Sequence, residues 1–238
     1  MRQLLAIGLV TIFSFAEAYA QTFEGLKFQV GGFLDFTTSA RIYPAARDDD
    51  PSISSSYNSF GGFLSVGGDL RVVLSRTNAV GVTIQSVNLN QNIYTIYGYN
   101  SAGNYVGAPV QDGFSLQLLE LNGYFSIPIV GESWDIYLGG GPALYLGKRN
   151  LQIGNTVANT PLVTAFGIQV SAGVVYRIAA CLGVRGEMKF RSPEFNSTSS
   201  FNTATTSYQG LEITLPGTQY GKINIDGTDF TLGIFYEL

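Results

Sequence analysis

The chain has 238 residues, with 13 Lys or Arg, 17 Asp or Glu and no His, for a formal net charge of −4. That balance leaves no basic patch with which to hold nucleic acid. The missing His removes the usual general base, proton shuttle and zinc ligand, and Cys181, the sole cysteine, excludes an internal disulfide.

Met1-Arg2-Gln3 is a short positive segment, and the apolar run of residues 4–16 follows it. Ala18-Tyr19-Ala20 before Gln21 then fits an A-x-A cleavage site. The run is shorter than the ~20 residues of a spanning helix. Residues 1–20 are therefore expected to be a cleaved secretory signal peptide and 21–238 one domain, with no lipobox Cys for an anchor. No later apolar run is long enough for a membrane helix, so any crossing would be made by strands.

Period-two rows fill the rest. From Phe28 to Tyr43, one row holds Phe28, Val30, Gly32, Leu34, Phe36, Thr38, Ala40 and Ile42, and the other holds Lys27, Gln29, Asp35 and Arg41. From Ser59 to Ser75, Phe60, Leu64, Val66, Leu70, Val72 and Leu74 oppose Ser65, Asp69 and Arg71. Val80, Val82 and Ile84 begin a third strand, with a register shift expected near Gln85-Ser86 before Val87 and Leu89. Phe114, Leu116 and Leu118 begin a fourth, where a bulge at Leu118-Leu119 would pass the row to Leu121, Phe125 and Ile127. Trp134, Ile136, Leu138, Pro142, Leu144 and Leu146 mark the fifth, with a bulge suggested at Pro142. Phe166 to Tyr176 gives the sixth, and Leu182, Val184, Met188 and Phe190 the seventh, opposite Arg185, Glu187, Lys189 and Arg191.

The eighth runs from Asp229 to Leu238, with Phe230, Leu232, Ile234, Tyr236 and Leu238 in one row. It could extend backwards through Ile223 and Ile225, with Leu211, Ile213 and Leu215 paired against that extension. An apolar strand at this position suits a closed barrel, whose last strand pairs with its first and leaves no edge. Thr231, Gly233, Tyr236 and Leu238 also fill the slots of the C-terminal assembly signal of bacterial outer-membrane barrels, with Leu where Phe is usual. The chain thus resembles the small outer-membrane barrels of the OmpA-transmembrane, OmpX and OmpW kind. The resemblance implies insertion by the barrel assembly machinery, contact with outer-membrane lipid and lipopolysaccharide, and a monomer. The expected fold is all-β, a closed antiparallel up-and-down transmembrane β-barrel of eight strands, with ten as the alternative. A soluble periplasmic lipocalin-type barrel, its apolar row turned inward, is the rival.

Connections alternate long and short: 44–58, 76–78, 90–112, 128–133, 147–162, 177–181 and 192–221. The long loops thus gather at one end, as in outer-membrane barrels. Aromatics at the strand ends are expected to form two girdles, Phe28, Phe125, Trp134, Tyr176 and Tyr236 toward the periplasm and Phe60, Phe114, Phe166, Phe190 and Phe230 on the outer side. The opposite row would bring Lys27, Asp35, Arg41, Asp69, Arg71, Glu120, Asp135, Arg177, Arg185, Glu187 and Lys189 into the lumen. There they would form a structural ionic core or line a narrow conduit.

Barrel enzymes of comparable size work through an active-site His, so no enzyme, catalytic residue, cofactor or metal is expected. Gly139-Gly140-Gly141 and Gly147-Lys148 lack phosphate-loop spacing, Asp48-Asp49-Asp50 reads as a solvated loop, and the Asn196-Ser197-Thr198 acceptor pattern means little in a bacterium. Two functions remain: a non-enzymatic surface barrel whose long loops, carrying Tyr94, Tyr97, Tyr99, Tyr105 and Tyr208, contact an extracellular partner, or a narrow pore for small or apolar solutes.

Overall fold

The computed structural model describes residues 26–128 and 133–238, apart from the side chain of Pro128. The expected signal peptide and the middle of the 128–133 turn lie outside the described residues. In chain order the strands are β1 (Lys27–Thr37), β2 (Ala40–Tyr43), β3 (Asn58–Phe60), β4 (Phe63–Val73), β5 (Asn78–Tyr99), β6 (Tyr105–Pro128), β7 (Trp134–Arg149), β8 (Gln152–Ile153), β9 (Thr156–Val157), β10 (Val163–Ala179), β11 (Leu182–Arg191), β12 (Glu194–Ser200), β13 (Thr205–Tyr208), β14 (Leu211–Thr214), β15 (Thr218–Asn224) and β16 (Thr228–Glu237). A single helical turn, Pro51–Ser54, is capped by Asp50, whose carboxylate accepts from the Ser52 amide at 2.8 Å.

β1, β4, β5, β6, β7, β10, β11 and β16 pair antiparallel in sequence, and the β1–β16 ladder closes them into an eight-stranded barrel. Phe28 accepts the Leu238 amide at 2.7 Å across that seam. Eight strands, not ten, span the wall. At the long-loop end the wall continues: β12, β15, β2 and β3 form a four-stranded sheet, and the 22- and 24-residue strands β5 and β6 rise as one long hairpin. Residues 90–112 are thus mostly paired strand.

Through the body of the barrel the apolar row faces outward. Leu34, Leu64, Val66, Ile84, Leu121, Leu138, Ile168, Leu232 and Ile234 are all exposed there, a lipid-facing belt. This is the reverse of a soluble lipocalin-type barrel.

Several expected irregularities are corrected. β5 and β6 pair in unbroken register from Asn78↔Phe125 to Asn92↔Gln111, so no shift occurs at Gln85-Ser86 and no bulge at Leu118-Leu119. The irregularity falls between Asn92 and Tyr94. Pro142 keeps register with Ile168, and on its other side the β6–β7 ladder skips two rungs without slipping, because Pro has no N–H to donate. Leu211 and Ile213 do not pair with the extension of the last strand. β14 pairs with β13 instead, and β15 is the extension, pairing with β12 and β2. The β13–β14 turn is Gln209-Gly210, both at positive φ (50° and 79°), the conformation that a two-residue hairpin requires.

Candidate functional site

The lumen of the lipid-belted body is packed with charge. Arg71 Nε lies 2.6 Å from Asp69 Oδ2 and its Nη2 3.0 Å from Glu187 Oε2. Asp69 also pairs with Arg185. Lys189 Nζ bridges Glu120 Oε2 at 3.2 Å and Glu187 Oε1 at 3.3 Å. Arg191 reaches Glu120 Oε1 at 3.3 Å and Asp35 Oδ2 at 3.4 Å, and also meets Asp229. Gln85 donates to Asp35 Oδ2 at 2.6 Å, and Thr231 Oγ1 donates to Asp35 Oδ1 at 2.6 Å. Apart from half-buried Thr231, these groups are almost fully buried, and such burial is tolerable only because each charge has partners.

Aromatic rings fill the turn end of the lumen. The Arg71 guanidinium lies 3.8 Å from the Tyr124 ring centroid, and Tyr137 donates to Glu187. Gly173 faces Tyr137 across the β7–β10 ladder, and a Cβ there would collide with the Tyr137 ring. The narrow barrel makes room for inward rings by placing glycine beside them.

Above the ionic layer the interior turns apolar. Ile42, Phe60, Phe63, Phe114, Leu116, Leu118, Tyr145, Phe195, Ile223 and Ile225 form one cluster, with Phe63 and Phe114 edge to face at 5.9 Å. The cavity between Phe33, Arg71, Arg185 and Lys189 has a volume of about 10 Å³, room for roughly one water molecule.

Phe60 and Phe114, expected on the lipid boundary, are therefore corrected to the interior plug. Phe60 is turned in by a break at Gly61-Gly62, where Phe60 and Phe63 both point inward. Phe114 is turned in by the unbroken parity of β6 with buried Glu120. Arg41 is likewise corrected: the break at Thr38-Ser39 sends Ala40 and Ile42 inward and Arg41 outward, where it pairs with Asp226 at 3.2 Å.

Of the other expected lumen residues, Asp35, Asp69, Arg71, Glu120, Arg185, Glu187 and Lys189 lie together inside. Lys27 lies at the rim with Glu237, and Asp135 lies with Arg177 at 2.5 Å, also at the rim. Phe125, Trp134, Tyr176 and Tyr236 stand exposed at the turn end, Trp134 and Tyr176 with centroids 4.6 Å apart, and Phe28 is half-buried there. Phe166, Phe190 and Phe230 are exposed toward the loop end. Thr231 points inward, Gly233 pairs with Phe33, and Leu238 lies on the seam.

Arg191 and Asp229 join the lumen in addition to the expected residues, and the signal for them is their parity with Arg185 and Thr231. The buried Asp112–Arg149 pair, bidentate at 2.5 and 2.8 Å, has no signal in the period-two rows, because both residues fall in the expected connections 90–112 and 147–162. At the loop end β14 lays Leu211 and Ile213 against Ala108, Val110 and Ile153. The two hairpin tips are tied by Asn100 Nδ2 donating to the Gln209 carbonyl at 3.0 Å and by the Ser101 amide donating to the Gly210 carbonyl at 3.2 Å.

No protein-family model matches the sequence, and no curated protein does. Among solved structures, the outer membrane protein OprG from Pseudomonas aeruginosa superposes with a TM-score of 0.59 at 9% identity, over 89% of this chain and 95% of that one. Neisserial surface protein A gives a TM-score of 0.42 at 13% identity, over 90% and 99%. The outer membrane protease OmpT from Escherichia coli gives 0.48 at 8%, over 90% and 97%. At 9% identity the likeness to OprG is one of fold alone, a closed antiparallel β-barrel.

Proposed function

We propose that the protein is a monomeric, non-enzymatic barrel of the bacterial outer membrane, exported with residues 1–20 as a cleaved signal, whose body is a solid anchor and whose long-loop end is the working surface. The observation that carries this reading is the filled lumen: ion pairs through the lipid-belted body, an apolar plug above them, and a cavity of only about 10 Å³ in the ionic layer between Phe33, Arg71, Arg185 and Lys189. A conduit for solutes would need both layers to move aside. The absence of His supports the non-enzymatic part. In this reading Thr231, Gly233, Tyr236 and Leu238 present β16 to the assembly machinery, and the exposed aromatics at both ends of the belt lie at the lipid–water boundaries. The loop end then faces the cell exterior, where the tied hairpins can meet an extracellular partner.

Purified protein in planar bilayers tests the reading. No discrete conductance steps are expected, and steps that vanish in a variant of the plug, such as Leu116→Trp, would overturn it in favour of a pore. Deleting 200–209 tests the working surface: loss of cell-surface binding is expected, with the heat-dependent shift on SDS gels retained.

A further inference from the structure

The β5–β6 hairpin carries a face that the plugged barrel does not use. From Asn78 to Gln111 the chain contains no charged residue, and the flap formed by β8 and β9 contains none either. At Ile84 the outward row of β5 is still apolar and lipid-facing. Beyond it the row becomes Ser86, Asn88, Asn90 and Asn92, facing Gln117, Ser115, Gly113 and Gln111 on β6. Past the irregularity between Asn92 and Tyr94, where Tyr94 turns to the face of buried Val110, the outward row continues with Tyr97, Tyr99 and Tyr105, each more than half exposed. Tyr97 lies about 44 Å along the strand from Ile84 at ~3.4 Å per residue. Several polar rungs separate the tyrosines from the lipid belt, so they are not part of an interfacial girdle.

Two features of this face form a site. The first is a groove of about 250 Å³ between β5, β6 and the flap, walled by Asn88, Asn90, Gln111, Asn150 and Gln152 over exposed Val157. Its wall is fixed by Asn150 Nδ2 donating to Ser115 Oγ at 2.8 Å, which donates to Asn88 Oδ1 at 3.3 Å. The Asn90 and Gln111 amides make no side-chain hydrogen bond among the described residues, so each keeps a donor and an acceptor for a ligand. The second is an aromatic platform: Tyr97 and Tyr105 are stacked at 5.5 Å with 3° between their planes, and Tyr99 leans on Tyr105 at 5.3 Å. Gly107 pairs with Tyr97 in the ladder, and a side chain there would crowd the Tyr97 ring. The hairpin beneath is held by the β14 contacts and the tied tips, so the platform is preorganised.

Paired amide donors and acceptors match the neighbouring hydroxyls of a sugar ring, and flat tyrosines match its C–H faces while their hydroxyls stay wet. The absence of charge selects against an ionic ligand. One cation stands at the foot of the strip: exposed Lys148, next to Ser115 in the β6–β7 ladder and without an ion pair among the described residues. This outward face looks sideways into whatever surrounds the barrel just above the lipid. In the outer leaflet that is lipopolysaccharide, with phosphate at its base and sugar above.

Resting on the proposed outer-membrane reading, we propose that the outward face of the β5–β6 hairpin binds one uncharged saccharide segment of the surrounding lipopolysaccharide, the amide groove taking one ring and the tyrosine platform the rings beyond it. The test uses refolded full-length protein in zwitterionic micelles, as wild type, Tyr97→Ala/Tyr105→Ala and Asn90→Ala/Gln111→Ala, each first shown to keep its heat-dependent gel shift. The probes are the lipid-free saccharide released by mild acid from smooth lipopolysaccharide of the parent strain, and lipopolysaccharide truncated to its inner core. Calorimetry should show the released saccharide binding wild type and weakening at least about tenfold in either double variant, with the truncated form bound equally by all. Equal saccharide binding by variants and wild type, or no binding of the lipid-free saccharide, overturns the proposal. If that happens while deletion of 200–209 still abolishes surface binding, the proposed function stands and this inference alone falls. If neither change has an effect, both fall.

Discussion

The two halves of the barrel are inversions of each other. In the body, Arg71, Arg185, Lys189 and Arg191 and their carboxylates lie inside while Leu34, Leu64, Ile168 and Leu232 lie outside. Toward the loop end, Val87, Phe114, Leu116 and Ile223 lie inside while Ser86, Asn88 and Gln117 lie outside. The solvent around each half accounts for the difference. Lipid demands an apolar outer face and leaves polar groups only the lumen in which to find partners. Where water surrounds the same strands, the hydrophobic effect drives apolar side chains inward, as in any soluble domain. The edge of the membrane is thus recorded along β5 and β6 as an exchange of faces with no change of register.

The largest effect is expected from breaking the ionic half. Arg191→Met leaves Asp35, Glu120 and Asp229 without a shared cation, and an uncompensated buried charge costs about 3–5 kcal/mol. The variant should lose the heat-shifted band on SDS gels or unfold at much lower urea in micelles. Adding Asp35→Asn and Asp229→Asn should restore much of the loss, because the unpaired charges leave with the cation. Equal stability of Arg191→Met and wild type would mean that the lumen is wet and the charges are solvated.

Breaking the apolar half should cost slightly less. Phe114→Ala empties a fully buried ring from the plug, a loss of about 3–4 kcal/mol in the usual range for such truncations. Gln117→Ala, on the same strand but facing water, should stay within about 0.5 kcal/mol. If the two variants had similar effects, the plug would not be packed as described.

This exchange of faces also marks where the sequence was legible. The β11 row of Arg185, Glu187 and Lys189 and the β16 row of Phe230 to Tyr236 alternate without interruption under one solvent, and both the barrel and most of its lumen can be read from them. Phe114, Leu116 and Leu118 are followed by Leu119 and Leu121 on the other face, and a rule assigning every apolar row to lipid must invent a bulge there. Breaks at Thr38-Ser39 and Gly61-Gly62 hide the same exchange for Arg41 and Phe60. The Asp112–Arg149 pair was beyond reach, since only the extension of β6 and β7 past the membrane brings those two side chains into contact.

The smallest effect sharpens the contrast by taking the same chemistry to the rim. Lys27 Nζ lies 2.6 Å from Glu237 Oε1, as short as the Arg71–Asp69 contact, but the Lys27 side chain is 62% exposed. Water screens the pair and the long Lys side chain loses rotamer freedom in making it, so such a bridge contributes ~0.5 kcal/mol. Glu237 also accepts from Gln29 Nε2 at 2.9 Å and is therefore not stranded when Lys27 is removed. Lys27→Ala should shift the urea midpoint barely beyond error, and 0.5 M salt should erase the shift, whereas the Arg191→Met loss should persist in salt because no counterion reaches the lumen. A Lys27→Ala cost approaching that of Arg191→Met would show that the turn-end rim is as dry as the interior, and the end of the lipid belt would then have to be placed beyond Lys27.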